Sequence, residues 1–367
     1  MASLSLRDAE DPEDLLADLS GQDAGFAEYL ADDVLARQPA PILPFLLQTA
    51  ILDRFCVALC EATVSSEDPE WNARRCIDWV EGHNLFVSSL DSRKEWYRYH
   101  QMFRDVLLPR AVAELGPDHV ADLQRKAAAW FASRGLVDEA LRLALAAGDR
   151  ELAAGFVAQG LCDVLNREDR PTLERWLSLF PDEFVQERPD LLIVQGFSLF
   201  LSWQVGPLAR LLPHAAALLE QESGMATAGA EPGALRGCLA VLSAFVAWLD
   251  NDLDGASAYS RETLAILPDA WSFVRSGGVL FQALAMQASG QWQTAARLLI
   301  ENYESAGDRT SVYALRHLQG LCMINYRQAG DLEQVVRTGQ KLVQGAERSR
   351  LSLQQSWGHH LVGLAHY

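Results

Sequence analysis

Apolar residues recur every three to four positions along most of this chain, the spacing that builds one face of an α-helix. Phe26, Tyr29, Leu30, Val34 and Leu35 form the first such stripe, over residues 26–37. Gln38-Pro39-Ala40-Pro41 interrupts it, because proline removes a backbone donor and crowds the preceding turn. Two short apolar helices are expected next, over residues 42–52 and 55–62. Glu67-Asp68-Pro69-Glu70 reads as a loop. Residues 71–81 read as a helix with Cys76, Ile77 and Val80 inward and Gly82 as its stop.

The pattern changes in residues 84–108, around which the chain is organised. Leu85-Phe86-Val87 and Trp96-Tyr97-Arg98-Tyr99 are β-prone runs, and the polar link Asp91-Ser92-Arg93-Lys94-Glu95 between them suits the turn of a β-hairpin. Helical spacing then resumes with Met102, Phe103, Val106 and Leu107, so His100 lies where a strand becomes a helix. Pro109 should end or bend that helix, and Pro117-Asp118 should start the next. Elsewhere, strand character is confined to a possible stub, Ser3-Leu4-Ser5-Leu6, before a helix start at Asp11-Pro12-Glu13-Asp14.

The second half repeats. Leu253-Asp254-Gly255-Ala256, Trp292-Gln293-Thr294-Ala295 and Leu332-Glu333-Gln334-Val335 each follow a turn and start a helix. Another apolar helix precedes each, over 235–249, 274–288 and 313–329. A period of about 40 residues with two helices per period means an α-solenoid of the tetratricopeptide type or a close cousin. Residues 351–367 read as the first helix of a further unit, and 220–233 as a surface link. The expected fold is therefore all-α with a small winged-helix β-hairpin, followed by an α-solenoid of tetratricopeptide-like helix pairs.

Composition narrows the function. At 367 residues, two or three domains are expected. With 49 Asp and Glu against 31 Lys and Arg, the net charge of −18 repels phosphate backbones, so no direct DNA contact by this chain is expected. Cys56, Cys60, Cys76, Cys162, Cys238 and Cys322 are scattered through apolar segments and read as buried free thiols in a reducing cytoplasm. No apolar run reaches the ~18 residues of a membrane span, and no membrane association is expected.

Catalytic motifs are missing. The chain has no G-x-x-x-x-G-K-[ST] loop, G-x-S-x-G elbow or H-E-x-x-H helix. His359 and His360, adjacent on a helix, point ~100° apart and do not converge on a metal. No catalytic residue and no metal ligand is assigned. Trp176, Phe180, Phe197, Phe200, Trp203, Phe245, Trp248, Tyr259, Trp271, Phe273 and Trp292 stand at helical spacings. Most belong to a solenoid core; a minority could line a face that takes sugars or flat metabolites.

Several stretches also carry a family resemblance. These are YRYHQMF followed by RDVLL over 97–108, EYLADDVLARQP over 28–39 and FLLQTAILDRFCVALCEA over 45–62. The run DLQRKAAAWFASRGLVDEALRLALAAGDRELAAGFV over 122–157 adds to them. Together they resemble the MalT-like large ATP-binding LuxR-type transcriptional regulators, a branch of the signal-transduction ATPases with numerous domains. The resemblance implies that residues 1–25 close a nucleotide-binding domain otherwise missing, with a winged helix over 26–116 and a helical linker with the first helix pairs over 117–222. Residues 234–367 would be a repeat sensor cut short. It implies ATP or ADP as cofactor of the intact regulator and none in this chain. A small inducer or a regulatory protein would bind the concave face of the 234–367 repeats, and the active form would self-associate. In related death-and-resistance ATPases a Met-His-Asp motif occupies the place of Tyr99-His100-Gln101, and its histidine touches the β-phosphate of ADP. Only the histidine is kept here, which makes His100 the candidate nucleotide-sensing residue.

Three readings compete. The chain is the regulatory portion of such a regulator, lacking its P-loop and DNA-binding helix-turn-helix; or a stand-alone helical-repeat adaptor; or an enzyme with a dispersed site.

Overall fold

A computed structural model describes residue 35, residues 38–39, 41–65, 71–222 and 232–366. The readings placed on 3–6, 11–14, 26–34 and 67–70, and most of the 220–233 link, lie outside these residues. The chain divides into two compact units, Met1–Asp149 and Arg150–Tyr367.

The first unit is a winged helix extended by two helices. Helices α1 (Ile42–Thr49), α2 (Val57–Thr63) and α3 (Ala73–Gly82) precede a two-stranded antiparallel sheet, β1 (Val87–Ser89) and β2 (Tyr97–Tyr99). Val87 pairs with Tyr99 and Ser89 with Tyr97. Alternation along β2 buries Tyr97 and Tyr99 and exposes Arg98, as a strand with one face on a core must. The turn is tied by one side chain: the Asp91 carboxylate accepts from the backbone N–H groups of Arg93, Glu95 and Trp96. Phe55, just before α2, exchanges two 2.8 Å backbone hydrogen bonds with Tyr97. Its ring lies 4.8 Å from that of Tyr99, whose hydroxyl is 2.7 Å from Thr49 Oγ1.

Helix α4 (Gln101–Leu115) continues through Pro109. Of the two expected outcomes there, an end or a bend, the end does not occur. Proline forfeits one backbone hydrogen bond, but Phe103, Leu107 and Ala111 form a buried stripe spanning the site and hold both halves on the core. Gly116 leaves the helix at φ 85°, and α5 (Pro117–Ala132) starts at once with proline in its first turn, where no donor is needed. Helix α6 (Val137–Ala146) completes the unit. Gly135 and Gly148, both at φ 73°, end α5 and α6 in the left-handed conformation that glycine adopts freely.

The second unit is helical throughout its described residues: α7 (Arg150–Asn166), α8 (Arg170–Leu177), α9 (Asp182–Gln186), α10 (Pro189–Leu201), α11 (Val205–Glu222), α12 (Pro232–Leu249), α13 (Leu253–Ile266), α14 (Ser272–Ala288), α15 (Trp292–Ser305), α16 (Val312–Ile324), α17 (Leu332–Ser349) and α18 (Ser352–Ala365). The repeat starts read at 253, 292 and 332 are the first residues of α13, α15 and α17. Asp252 and Asp331 cap α13 and α17, accepting from the N–H groups of Gly255 and Gln334. Each pair packs on the next, so α10, α12, α14, α16 and α18 lie side by side as one layer. Between α16 and α17 the chain makes a π-helical turn, Asn325–Ala329. No helix among the described residues is long and apolar enough to cross a membrane.

Candidate functional site

Two places merit chemistry, one in each unit. In the first, His100 stands at the junction read from the sequence, between β2 and α4. Its backbone N–H donates to Phe86 O at 2.7 Å, and its carbonyl accepts from Arg104 N–H at 3.0 Å. Those two bonds fix the backbone at the strand-to-helix turn. The side chain does not cap α4, and its Nδ1 is enclosed with no hydrogen-bond partner. Asn84 and Phe86 opposite it both hold left-handed backbone, at φ 50° and 52°. Such strained residues concentrate at binding sites. A half-buried imidazole with a free nitrogen can donate to an anionic oxygen.

In the second unit the layer of first helices surrounds an aromatic slot. It is a partly open cavity of about 50 Å³. Helix α10 and its C-terminal turn bring Phe200 and Trp203; α12 brings Phe245 and Trp248; α14 brings Phe273 and Phe281. Helix α16 adds Arg316, Gln319 and Met323, and α18 adds Gln354 and Trp357. The rings meet edge to face: Phe200 lies 4.9 Å from Phe245 and 6.3 Å from Phe273. At the mouth Trp203 is 51% exposed and lies 5.7 Å from Trp357. Its backbone is left-handed, at φ 58°, a conformation that costs a bulky residue roughly 1–3 kcal/mol.

The polar groups of the slot are few and incompletely satisfied. Arg316 is only 5% exposed. Its guanidinium carbon lies 4.4 Å from the Phe273 ring centre and 5.9 Å from that of Phe200, within cation–π reach of both. One terminal nitrogen donates to Phe273 O at 3.3 Å, while Nε is enclosed with no partner. Burial pulls the Arg316 pKa down to about 10, against the opposing charge of Glu168, so the group stays protonated at neutral pH. Gln354 donates its amide to Glu168 Oε1 at 2.8 Å, leaving Gln354 Oε1 and Glu168 Oε2 enclosed without partners. Burial raises the Glu168 carboxyl above the usual carboxylate range; Gln354, the Arg316 charge and the N–H groups of Leu353 and Gln354 oppose it. Glu168 too has left-handed backbone, at φ 55°.

Of the eleven aromatic residues picked out by spacing, Phe200, Trp203, Phe245, Trp248 and Phe273 line this slot. Trp176, Phe180 and Phe197 are buried core. The slot reaches outside residues 234–367, because α10 supplies Phe200 and Trp203. Arg316, Gln354, Trp357 and Glu168 were not singled out from the sequence. A signal existed for one of them: Arg316, Gln319 and Met323 fall at i, i+3 and i+7 in an otherwise apolar helix. The six cysteines are free thiols, and Cys60, Cys76, Cys238 and Cys322 are buried.

Comparison with known proteins agrees with this layout. Residues 31–119 match the profile of the MalT winged helix domain. The serine/threonine-protein kinase PknK of Mycobacterium tuberculosis and that of Mycobacterium bovis are each 32% identical over 228 residues, or 62% of this chain. The matched segment spans only 20% of those relatives' length. Among solved structures, a signal transduction ATPase with numerous domains from Pyrococcus horikoshii, carrying a tetratricopeptide repeat sensor, superposes with a TM-score of 0.58. That match is 14% identical and covers 95% of this chain and 50% of the other, so it establishes the shared fold. The chain thus resembles the MalT-like signal-transduction ATPases in its winged helix and its solenoid.

Proposed function

We propose that this chain is the regulatory and inducer-sensing portion of a MalT-like, ATP-dependent regulator. The observation that carries the reading is a MalT-type winged helix joined to a solenoid whose first helices enclose an aromatic slot. In this reading the winged helix gates nucleotide and the slot takes a small inducer. The chain itself is non-catalytic and contacts no DNA, and the inducer-bound form self-associates in the cytoplasm. The similarity to a protein named as a kinase supports attachment of such a segment to more than one kind of output. LuxR-type transcription control is the output proposed here. The competing reading, a stand-alone adaptor, predicts no nucleotide coupling.

His100 tests the gate. A hydrogen bond to a charged acceptor is worth roughly 1.5–3 kcal/mol. In a chain carrying a nucleotide-binding domain in frame, His100→Ala should therefore weaken ADP binding about ten- to a hundredfold. Less ADP-bound resting state shifts the population toward the oligomer. Fluorescent-ADP titration and a melting curve are measured together. Unchanged ADP affinity with a lowered melting temperature would make His100 a structural residue and remove the gate.

A further inference from the structure

Resting on that sensor reading, we infer that the slot takes an uncharged, planar aromatic or heteroaromatic molecule carrying one hydrogen-bond acceptor and one donor. The acceptor meets Arg316 Nε and the donor meets Gln354 Oε1, two enclosed atoms without partners on residues that line the slot.

Three observations restrict the ligand. The first is the lining. Phe200, Phe245, Phe273 and Phe281 surround an interior of about 50 Å³, and aromatic walls favour a ligand that offers ring faces and edges of its own. Trp203 and Trp357, 5.7 Å apart with a 50° angle between their planes, stand at its mouth. Trp203 is held exposed in strained backbone rather than folded into the core, which is how a binding residue is kept poised.

The second is polarity. Three polar side chains, Arg316, Gln319 and Gln354, line the slot. A saccharide carries many hydroxyls, and each one buried without a partner costs free energy. Aromatic rings satisfy none of them, so the slot discriminates against sugars although aromatic platforms in general accept them.

The third is charge. Gln354 holds the Glu168 carboxyl at 2.8 Å, and the charge of that group already acts on the Arg316 guanidinium. A ligand carboxylate would answer Arg316 but bring a second anion into the same interior, where like charges repel strongly. A carbonyl or ring-nitrogen acceptor meets the Nε–H without that penalty, and an N–H or O–H donor completes Gln354.

The test uses the full chain and four probes: 2-quinolone (one carbonyl acceptor, one N–H donor), quinoline (no donor), quinoline-2-carboxylate (an anion) and maltose (hydroxyl-rich). Binding is read by calorimetry, and the site by amide hydrogen exchange over residues 200–357. For a fragment of this size 2-quinolone should bind with Kd on the order of 1 mM or tighter. It should protect that region and bind about tenfold more tightly than quinoline, the effect of one satisfied hydrogen bond. Trp203→Ala, at an exposed position that leaves the core intact, should abolish its binding, and Gln354→Leu should erase the advantage over quinoline.

Preferential binding of quinoline-2-carboxylate or of maltose, lost in Trp203→Ala, overturns the ligand class and leaves the sensor reading standing. Binding of 2-quinolone that Trp203→Ala does not alter overturns the slot as its site. If none of the four probes changes exchange over 200–357, the inferred ligand class falls, while the sensor reading stands or falls with the ADP titration of His100→Ala.

Discussion

Replacing His317 by Leu should remove an acid-sensitive weakness from the second unit. His317 is 0% exposed on α16, next to Arg316. Its ring packs edge-on against Tyr313 at 4.5 Å, and neither ring nitrogen has a hydrogen-bond partner. Burial lowers its pKa to about 4; the Tyr313 carbonyl one turn earlier opposes this without forming a well-aligned bond, and the Arg316 charge reinforces it. An unfolded histidine titrates near pH ~6.5. Between those values the unfolded chain binds the extra proton, so stability is fully present above pH ~6.5 and is lost as pH falls toward 4. At pH 5 the unfolded form is about 97% protonated and the folded form about 10%, which makes the loss relative to pH 7.5 about 2 kcal/mol. Leucine fills similar volume and titrates nowhere. Urea unfolding of both proteins at the two pH values isolates the effect, since other titrating groups cancel in the difference. The stability of the His317→Leu chain relative to the parent should rise by about 2 kcal/mol on going from pH 7.5 to pH 5. A difference that stays flat to within about 0.5 kcal/mol would show that His317 takes up its proton in the folded state and refute the burial argument.

Two further substitutions probe the packing. Thr49→Val leaves the buried Tyr99 hydroxyl without its 2.7 Å partner and should cost about 1–3 kcal/mol in the winged-helix unit; an unchanged urea midpoint for that unit would contradict it. At Gly358 an added Cβ would lie 3.2 Å from Val343 N and 3.3 Å from Gly339 O, both backbone atoms. Gly358→Ala should therefore push α18 off α17, lower stability by about 1–3 kcal/mol, and weaken 2-quinolone binding, because α18 carries Gln354 and Trp357. Parent-like calorimetry in this variant would show that the two helices tolerate separation without moving the slot.

Local chemistry was enough to place the hairpin and the repeat helices of this chain. Helix starts at 253, 292 and 332 follow from the turns before them and from apolar spacing that any isolated stretch displays. The hairpin follows from two β-prone runs, and the position of His100 from the change of period beside it. Period also marked Phe200, Trp203, Phe245, Trp248 and Phe273 as face-forming, but it says only that a residue points toward some neighbour. Which faces converge is set by how helix pairs stack, and that depends on contacts far apart in the chain. Gln354 and Glu168 meet across 186 positions, and the slot is closed only when α10 and α18 lie on the same layer. Pro109 is the counterpart in the first unit: its local rule allows the helix to end there, and a buried stripe of Phe103, Leu107 and Ala111 carries the helix past it. The burial of Arg316 is not decided by its own helix, because its stacking partners come from α10 and α14 and the opposing charge of Glu168 from the residues that follow α7. Desolvation and ring stacking at that arginine exist only once the solenoid has wound.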